Sequence, residues 1–284
     1  MADAQPRDVY LEVNGLKLHQ LEWGDAASSA LVCVHGLTSN AHAFDGLARR
    51  MSDRYRVISV DVRGRGDSAW ATDGEYNQNA YVADLEGTVE ALQLQKFSLV
   101  GTSMGGRIAM EYAGRHADRL ERLVINDIGP DAESGSDRIT RNQANVPESF
   151  ASIEKAAAFR AGTSPVFTNL PAAEQIERMG YDLRKADDGR FYWKHDPEFQ
   201  RQRVSKGTPT YGYLWDVLKR LEMPVLLLWG TASDVLSEGQ ALRIVETLKR
   251  GALVPVPGVG HAPTLNEPAA AEALENFLAR VPAA

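Results

Sequence analysis

The chain has 284 residues and a mass of 31.1 kDa, with 44% hydrophobic, 24% charged and 8% aromatic residues, an ordinary globular balance in a length able to bury one large core. Thirty-one Lys and Arg stand against 38 Asp and Glu for a formal charge of −7, which removes the general basic field needed to gather phosphate backbones and excludes nucleic acid as a partner. The single cysteine, Cys33, excludes an internal disulfide and a multi-cysteine zinc site, so no metal is expected to hold the fold.

Met1 to Asp8 are polar and mixed in charge, without a basic start leading into an apolar run, and a cytoplasmic location is expected. Val9–Val13 and Leu16–Trp23 are extended runs joined by Asn14-Gly15, a dipeptide that tolerates the positive φ of a two-residue hairpin turn. Short continuous apolar runs follow at Leu31–Val34, Val57–Val60, Phe97–Val100 and Leu123–Ile125, separated by segments of helical spacing at Ala41–Met51, Asn79–Leu92 and Met104–His116. That alternation predicts a mostly parallel, eight-stranded α/β sheet with helices on both faces. It stops at Gly129-Pro130-Asp131, and residues 130–221 are rich in charge, Gly, Pro and aromatics. We read them as an inserted helical cap, with helices at Ile153–Ala161 and Ala172–Met179 and no strand-helix repeat of its own. Residues 1–129 and 222–284 form the predicted core, which resumes at Val225–Leu228 and ends with helices at Glu238–Lys249 and Pro268–Ala279 around a last strand, Leu253–Val256. Even the apolar stretch Val225–Trp229 is strand-length, far below the ~20 residues of a bilayer span, so no membrane partner is expected.

Gly101-Thr102-Ser103-Met104-Gly105-Gly106 directly follows one predicted strand and opens a helix. A serine on so sharp a turn projects its hydroxyl above the sheet edge, and small residues at positions 101 and 105 let the two backbones pass. The spacing lacks the G-x-G-x-x-G pattern and the lysine of a phosphate loop. A serine hydroxyl needs a base within hydrogen-bond reach. Of six histidines, His261 lies between the last strand and the last helix, on a loop expected at the same sheet edge. His19 falls in the hairpin, His42 and His116 on helices and His195 in the cap, where surface or packing roles are expected.

Four motifs in order carry a resemblance across nearly the whole chain: His35-Gly36-Leu37-Thr38-Ser39-Asn40, Asp61-Val62-Arg63-Gly64-Arg65-Gly66-Asp67-Ser68, the serine elbow, and Gly260-His261. Together they resemble the α/β-hydrolase superfamily. The resemblance implies Ser103 as nucleophile, His261 as base, and backbone donors at Leu37 and Met104 forming an oxyanion hole, with no cofactor. For the third triad member it leaves two carboxylates open. Asp234 follows the seventh core strand but stands one residue beyond the usual position, which holds Ser233, whereas Asp127 closes the sixth strand, an alternative site in some members. The displacement favours Asp127. A narrower similarity, in the His-Gly-x-Thr-Ser-Asn loop, is to hydrolases of small acylated dicarboxylic acids.

Substrate choice is expected from the cap and adjoining loops, with Phe44, Trp70, Trp193, Tyr211 and Trp215 as candidate substrate-binding aromatics. Between Arg184 and Lys206 stand seven Lys or Arg against four Asp or Glu, a local excess read as a solvated face before a carboxylate site. Asp61, Arg63 and Asp67 read as a charge-paired turn, and Arg107 as a surface or packing residue. The expected activity is hydrolysis of a small-molecule carboxylic ester, or an amide, through an acyl-enzyme. A carbon-carbon bond hydrolase of a diketone and a non-catalytic ligand receptor are the alternatives. Relatives of the former usually carry tryptophan after the histidine, where this chain has Ala262. Oligomeric state is left open.

Overall fold

The computed structural model describes residues 5–207 and 209–279, so part of the polar opening stretch lies outside the described residues. In chain order the elements begin with β1 (Arg7–Val13), β2 (Leu16–Trp23), β3 (Ala30–Val34), α1 (Asp45–Met51), β4 (Arg56–Val60), α2 (Gln78–Ala91), β5 (Phe97–Thr102), α3 (Met104–Arg115) and β6 (Leu120–Asn126). The segment that follows holds α4 (Ser134–Ala144), β7 (Ser149–Phe150), α5 (Ile153–Thr163), α6 (Pro165–Thr168), α7 (Ala172–Asp182), β8 (Leu183–Lys185), β9 (Phe191–Trp193), α8 (Pro197–Lys206) and α9 (Leu214–Arg220). The chain closes with β10 (Val225–Gly230), α10 (Glu238–Thr247), β11 (Gly251–Val256) and α11 (Pro268–Ala279).

Eight strands form one sheet in the order β1-β2-β4-β3-β5-β6-β10-β11. The first hairpin is antiparallel and β2 pairs antiparallel with β4, while every pairing from β4 to β11 is parallel. Asn14 and Gly15 both have positive φ, 51° and 75°, as the turn requires. The two-residue period of a strand sends neighbouring side chains to opposite faces. Val32, Val34 and Leu227 accordingly join one core cluster with residues of α2, α3 and α10, while Leu31, Cys33, Leu226 and Leu228 join a second with α1 and α11. Both faces are covered, which is why these strands are apolar throughout rather than alternating.

Two features of the inserted segment go beyond its reading as a helical cap. It contains a small antiparallel sheet, β7-β9-β8, whose strands of two or three residues are too short to leave a periodic signal. Its own apolar cluster gathers Phe150, Ala156, Phe167, Met179 and Leu183. Second, α9 falls on the cap side of the predicted boundary at 221, yet Leu214, Trp215, Val217 and Leu218 pack into the same cluster as the sheet and α3. The core's packing therefore resumes at Leu214, because α9 offers α3 an apolar face that has to be buried. Among the described residues no helix is long and apolar enough to cross a membrane.

Candidate active site

The site is built at the carboxyl ends of the parallel strands. Ser103 stands between β5 and α3 with φ 54° and ψ −119°, a backbone that non-glycine residues adopt only at a cost. The close passage around it has a steric basis. A Cβ on Gly101 would lie 2.3 Å from the Gly105 carbonyl oxygen, and one on Gly105 would lie 2.1 Å from that of Val34. Strand and helix can cross here only because neither residue has a side chain.

Ser103 Oγ lies 2.7 Å from His261 Nε2, and His261 Nδ1 lies 2.8 Å from Asp127 Oδ2. A carboxylate can only accept, so Nδ1 carries the proton and donates it to Asp127, which leaves the Nε2 lone pair to accept from the serine hydroxyl. Asp127 follows β6 with φ 56° and is wholly buried. Its second oxygen accepts from the Gly230 amide at 2.9 Å, so the end of β10 fixes the carboxylate's rotation. Asn126 holds the histidine loop from beneath by donating to the Pro263 carbonyl at 2.8 Å.

Asp234, the other candidate acid, is turned elsewhere. Its two oxygens accept from Arg138 Nε and Nη2 at 2.5 and 2.8 Å, and this arginine holds the carboxyl below its ordinary pKa despite partial burial. Ser233, one residue earlier, accepts from the amides of Val235 and Leu236 and closes the turn after β10. The structure thus brings Ser103, His261 and Asp127 together and leaves Asp234 in an ion pair.

Leu37 lies on the loop after β3 and lines the cavity beside Ser103. The loop is anchored by His35, whose Nδ1 donates to the Gly36 carbonyl at 2.7 Å while Nε2 accepts from the Val62 amide at 3.0 Å. Burial pushes this imidazole down to about 4, which keeps it neutral and able to do both. Met104 is the first residue of α3, so its amide is among the N-terminal donors that the helix itself cannot satisfy.

Two chambers meet at Ser103. The first, of about 230 Å³, is lined by Gly36 to Ser39, Phe44, Phe159, Arg160, Phe167, Trp193, His195 and His261 among others. The second, of about 670 Å³, is lined by Leu37, Tyr76, Tyr81, Met104, Arg107, Phe199, Arg203 and Tyr211 among others. Of the five candidate aromatics, Phe44 and Trp193 border the first chamber and Tyr211 the second. Trp70 and Trp215 border neither, which corrects the sequence expectation. Trp70 is 41% exposed and donates to the Lys194 carbonyl. Trp215 is a buried residue of α9, donates to Asp131 and carries the Arg243 guanidinium over its ring. None of these partners, Lys194, Asp131 and Arg243, borders either chamber.

Other charged residues have local duties. Arg63 forms a buried two-point pair with Asp84, in keeping with a structural turn. His19, Asp61 and Asp67 bring possible metal-ligand atoms within 4.8 Å of one another. Asp61 already accepts from the amides of Ala41 and Asp67 and from His19, so the group is a hydrogen-bond network tying β2 to the turn. Arg107 is buried, donates to the Gly129 and Asp131 carbonyls and stacks over Tyr211. Arg160, Phe159, Tyr76 and Phe199 carry no sequence signal for a pocket, because they sit on helices or loops with no motif of their own.

Residues 29–268 match the family described as alpha/beta hydrolase fold. The chain is 34% identical over 281 aligned positions to the 3-hydroxybutyrate-oligomer hydrolase of Cupriavidus necator, covering 94% of this chain and 95% of that one. The crystal structure of an alpha/beta hydrolase from Novosphingobium aromaticivorans superposes with a TM-score of 0.86 and 30% identity, covering 98% of this chain and 99% of that one. That of E-2-(acetamidomethylene)succinate hydrolase gives 0.82 and 25%, covering 97% and 100%. Sheet order, serine elbow and family match together establish that this chain belongs to the α/β-hydrolase fold family.

Proposed function

We propose that the protein is a serine hydrolase that cleaves a small-molecule carboxylic ester through an acyl-enzyme, without a cofactor. The observation that carries this reading is the unbroken relay from Ser103 Oγ to His261 Nε2, 2.7 Å, and from His261 Nδ1 to Asp127, 2.8 Å. As Ser103 Oγ bonds to the acyl carbon, its proton passes to His261 Nε2 and the carbonyl oxygen becomes an oxyanion. The amides of Leu37 and Met104 receive that charge, and each such donor is worth roughly 3 kcal/mol in the transition state. Asp127 stabilises the imidazolium. Collapse of the tetrahedral adduct breaks the ester carbon–oxygen bond, and His261 gives its proton to the departing alkoxide. Water then adds to the acyl-enzyme by the same route and releases the acid and Ser103.

The relative from Cupriavidus necator, named for hydrolysis of 3-hydroxybutyrate oligomers, supports a small acyl substrate. Ala262 after the histidine is the feature that disfavours the carbon-carbon hydrolase. Hydrolysis of p-nitrophenyl butanoate by wild type and by Ser103→Ala tests the reading. The wild type is expected to turn over with a burst of p-nitrophenol wherever deacylation is slow, and the variant to lose turnover by ~10⁶-fold. Full turnover in Ser103→Ala would remove the acyl-enzyme, and tight binding without turnover by the wild type would favour a receptor.

A further inference from the structure

The two chambers at Ser103 are not equivalent with respect to the base. His261 lines the first and is absent from the walls of the second, which instead carries Met104. The group that delivers a proton to the departing oxygen has to touch that oxygen, so the leaving alcohol belongs in the chamber that His261 lines. The acyl chain is then left to the second chamber, beside the Met104 amide.

The first chamber also has a distinctive charge. Its walls include Phe44, Phe159, Phe167 and Trp193, with Arg138, Arg160 and Arg178. Arg138 is paired with Asp234 and Arg178 with Glu174. Burial pushes His195 down to about 3, so it is neutral. Arg160 gives Nη2 to the neutral Thr38 hydroxyl at 2.9 Å, and among the described residues no carboxylate lies within ion-pair distance of it. Asp182, whose charge acts on Arg160, is half-buried, accepts from Asn40 at 2.7 Å and is pushed up by desolvation to about 6. A guanidinium with spare donors, among aromatic and neutral polar walls whose other two arginines are already paired, fits a carboxylate. The second chamber differs in carrying a carboxylate, Glu111, in its wall. Of its cations, Arg107 is tied to two backbone carbonyls and stacked on Tyr211, Arg203 gives Nε to the Thr140 hydroxyl and Lys206 gives Nζ to the Gln202 amide oxygen.

Resting on the ester-hydrolase reading above, we infer that Arg160 is an anion anchor for the leaving group, so that the alcohol released is a hydroxy acid rather than a neutral alcohol. 3-(Butanoyloxy)butanoate and sec-butyl butanoate form the same butanoyl-enzyme and differ only in the alcohol, so their kcat/KM ratio reports the first chamber alone. Methyl hydrogen succinate against methyl butanoate places the carboxylate on the acyl side instead. Wild type is expected to prefer 3-(butanoyloxy)butanoate over sec-butyl butanoate by about tenfold or more. Arg160→Gln should lower that ratio by about tenfold and Arg160→Lys by less, while the succinate ratio moves little. Thermal unfolding followed by circular dichroism checks that both variants fold, and the lysine form keeps the test readable if glutamine disturbs packing. Loss of the succinate preference in place of the alcohol-side preference would reverse the chamber assignment and overturn the inference, as would ratios that Arg160→Gln leaves unmoved. Failure of wild type on p-nitrophenyl butanoate would instead bring down the ester-hydrolase reading on which it rests.

Discussion

Ser103 and Asp127 both sit at positive φ, 54° and 56°, each immediately past the end of a central strand. Such backbone costs about 1–3 kcal/mol per residue, and here it aims a hydroxyl and a carboxylate at opposite nitrogens of one imidazole. Asp127→Asn separates geometry from chemistry. The asparagine amide can donate to Nδ1, which favours the tautomer with the proton on Nε2, and that nitrogen can no longer take the serine proton. We expect kcat to fall by ~10⁴-fold with the fold intact. Asp234→Asn removes only the Arg138 pair, whose partners are 32% and 39% exposed, so stability should change by less than about 1 kcal/mol and kcat should stay near wild type. Steady-state kinetics on both variants checks this, and a larger loss from Asp234→Asn would transfer the acid role to it. The sequence could narrow the acid to two positions because each ends a strand. Choosing between them depends on Gly230 and Arg138, which lie 103 and 96 positions away from their carboxylate partners.

At the scale of elements, His35 joins the loop after β3 to the loop after β4 through the Gly36 carbonyl and the Val62 amide. Burial lowers its pKa from 6.5 to about 4, so between these values the unfolded chain binds a proton that the folded chain refuses. The stability this neutral imidazole supplies is complete above pH 6.5 and declines as pH falls toward 4, by on the order of 3 kcal/mol. Urea unfolding from pH 7.5 to 4.5 should show the decline, and His35→Asn should make it shallower whatever its effect at neutral pH, the remainder coming from groups such as His195, whose pKa burial also lowers. Equal slopes in the two proteins would mean that other groups carry the acid sensitivity. Elements with a local chemical signal were legible beforehand: the Asn14-Gly15 hairpin, the apolar parallel strands, and the glycine-flanked serine turn. β7, β8 and β9 were not, because strands of two or three residues have no period. Trp70 and Trp215 misled for a related reason, since an indole is equally at home against a ligand, a helix or a loop carbonyl. Arg160 was silent because nothing in its helix distinguishes a guanidinium facing a chamber from one facing water.

For the molecule as a whole, both chambers lie between the sheet's carboxyl edge and the inserted segment, so the site exists only while the two are held together. Exposed contacts such as Lys194 with Asp67 contribute little to that. The stronger link is Tyr76, which donates to Asp196 Oδ2 at 2.6 Å and accepts from the Ala71 amide at 2.8 Å. Asp196 is 8% exposed, donates its own amide to the Gly64 carbonyl, and caps α8 by accepting from the Glu198 amide. Burial and this carboxylate raise the tyrosine pKa, so the phenol remains a donor across the neutral range. A hydrogen bond to a charged group with both partners largely out of water contributes about 1.5–3 kcal/mol. The cycle of Tyr76→Phe, Asp196→Asn and the double variant should therefore show a coupling free energy above about 1 kcal/mol by urea unfolding, with asparagine chosen because it keeps the cap's acceptor. Since Tyr76 also borders the second chamber, KM should rise more than kcat falls as the walls loosen. If the two changes add within about 0.5 kcal/mol, the Tyr76–Asp196 bond is not what holds the inserted segment to the core, and links such as Asn40 to Asp182 and the Asp196 amide to Gly64 do so instead.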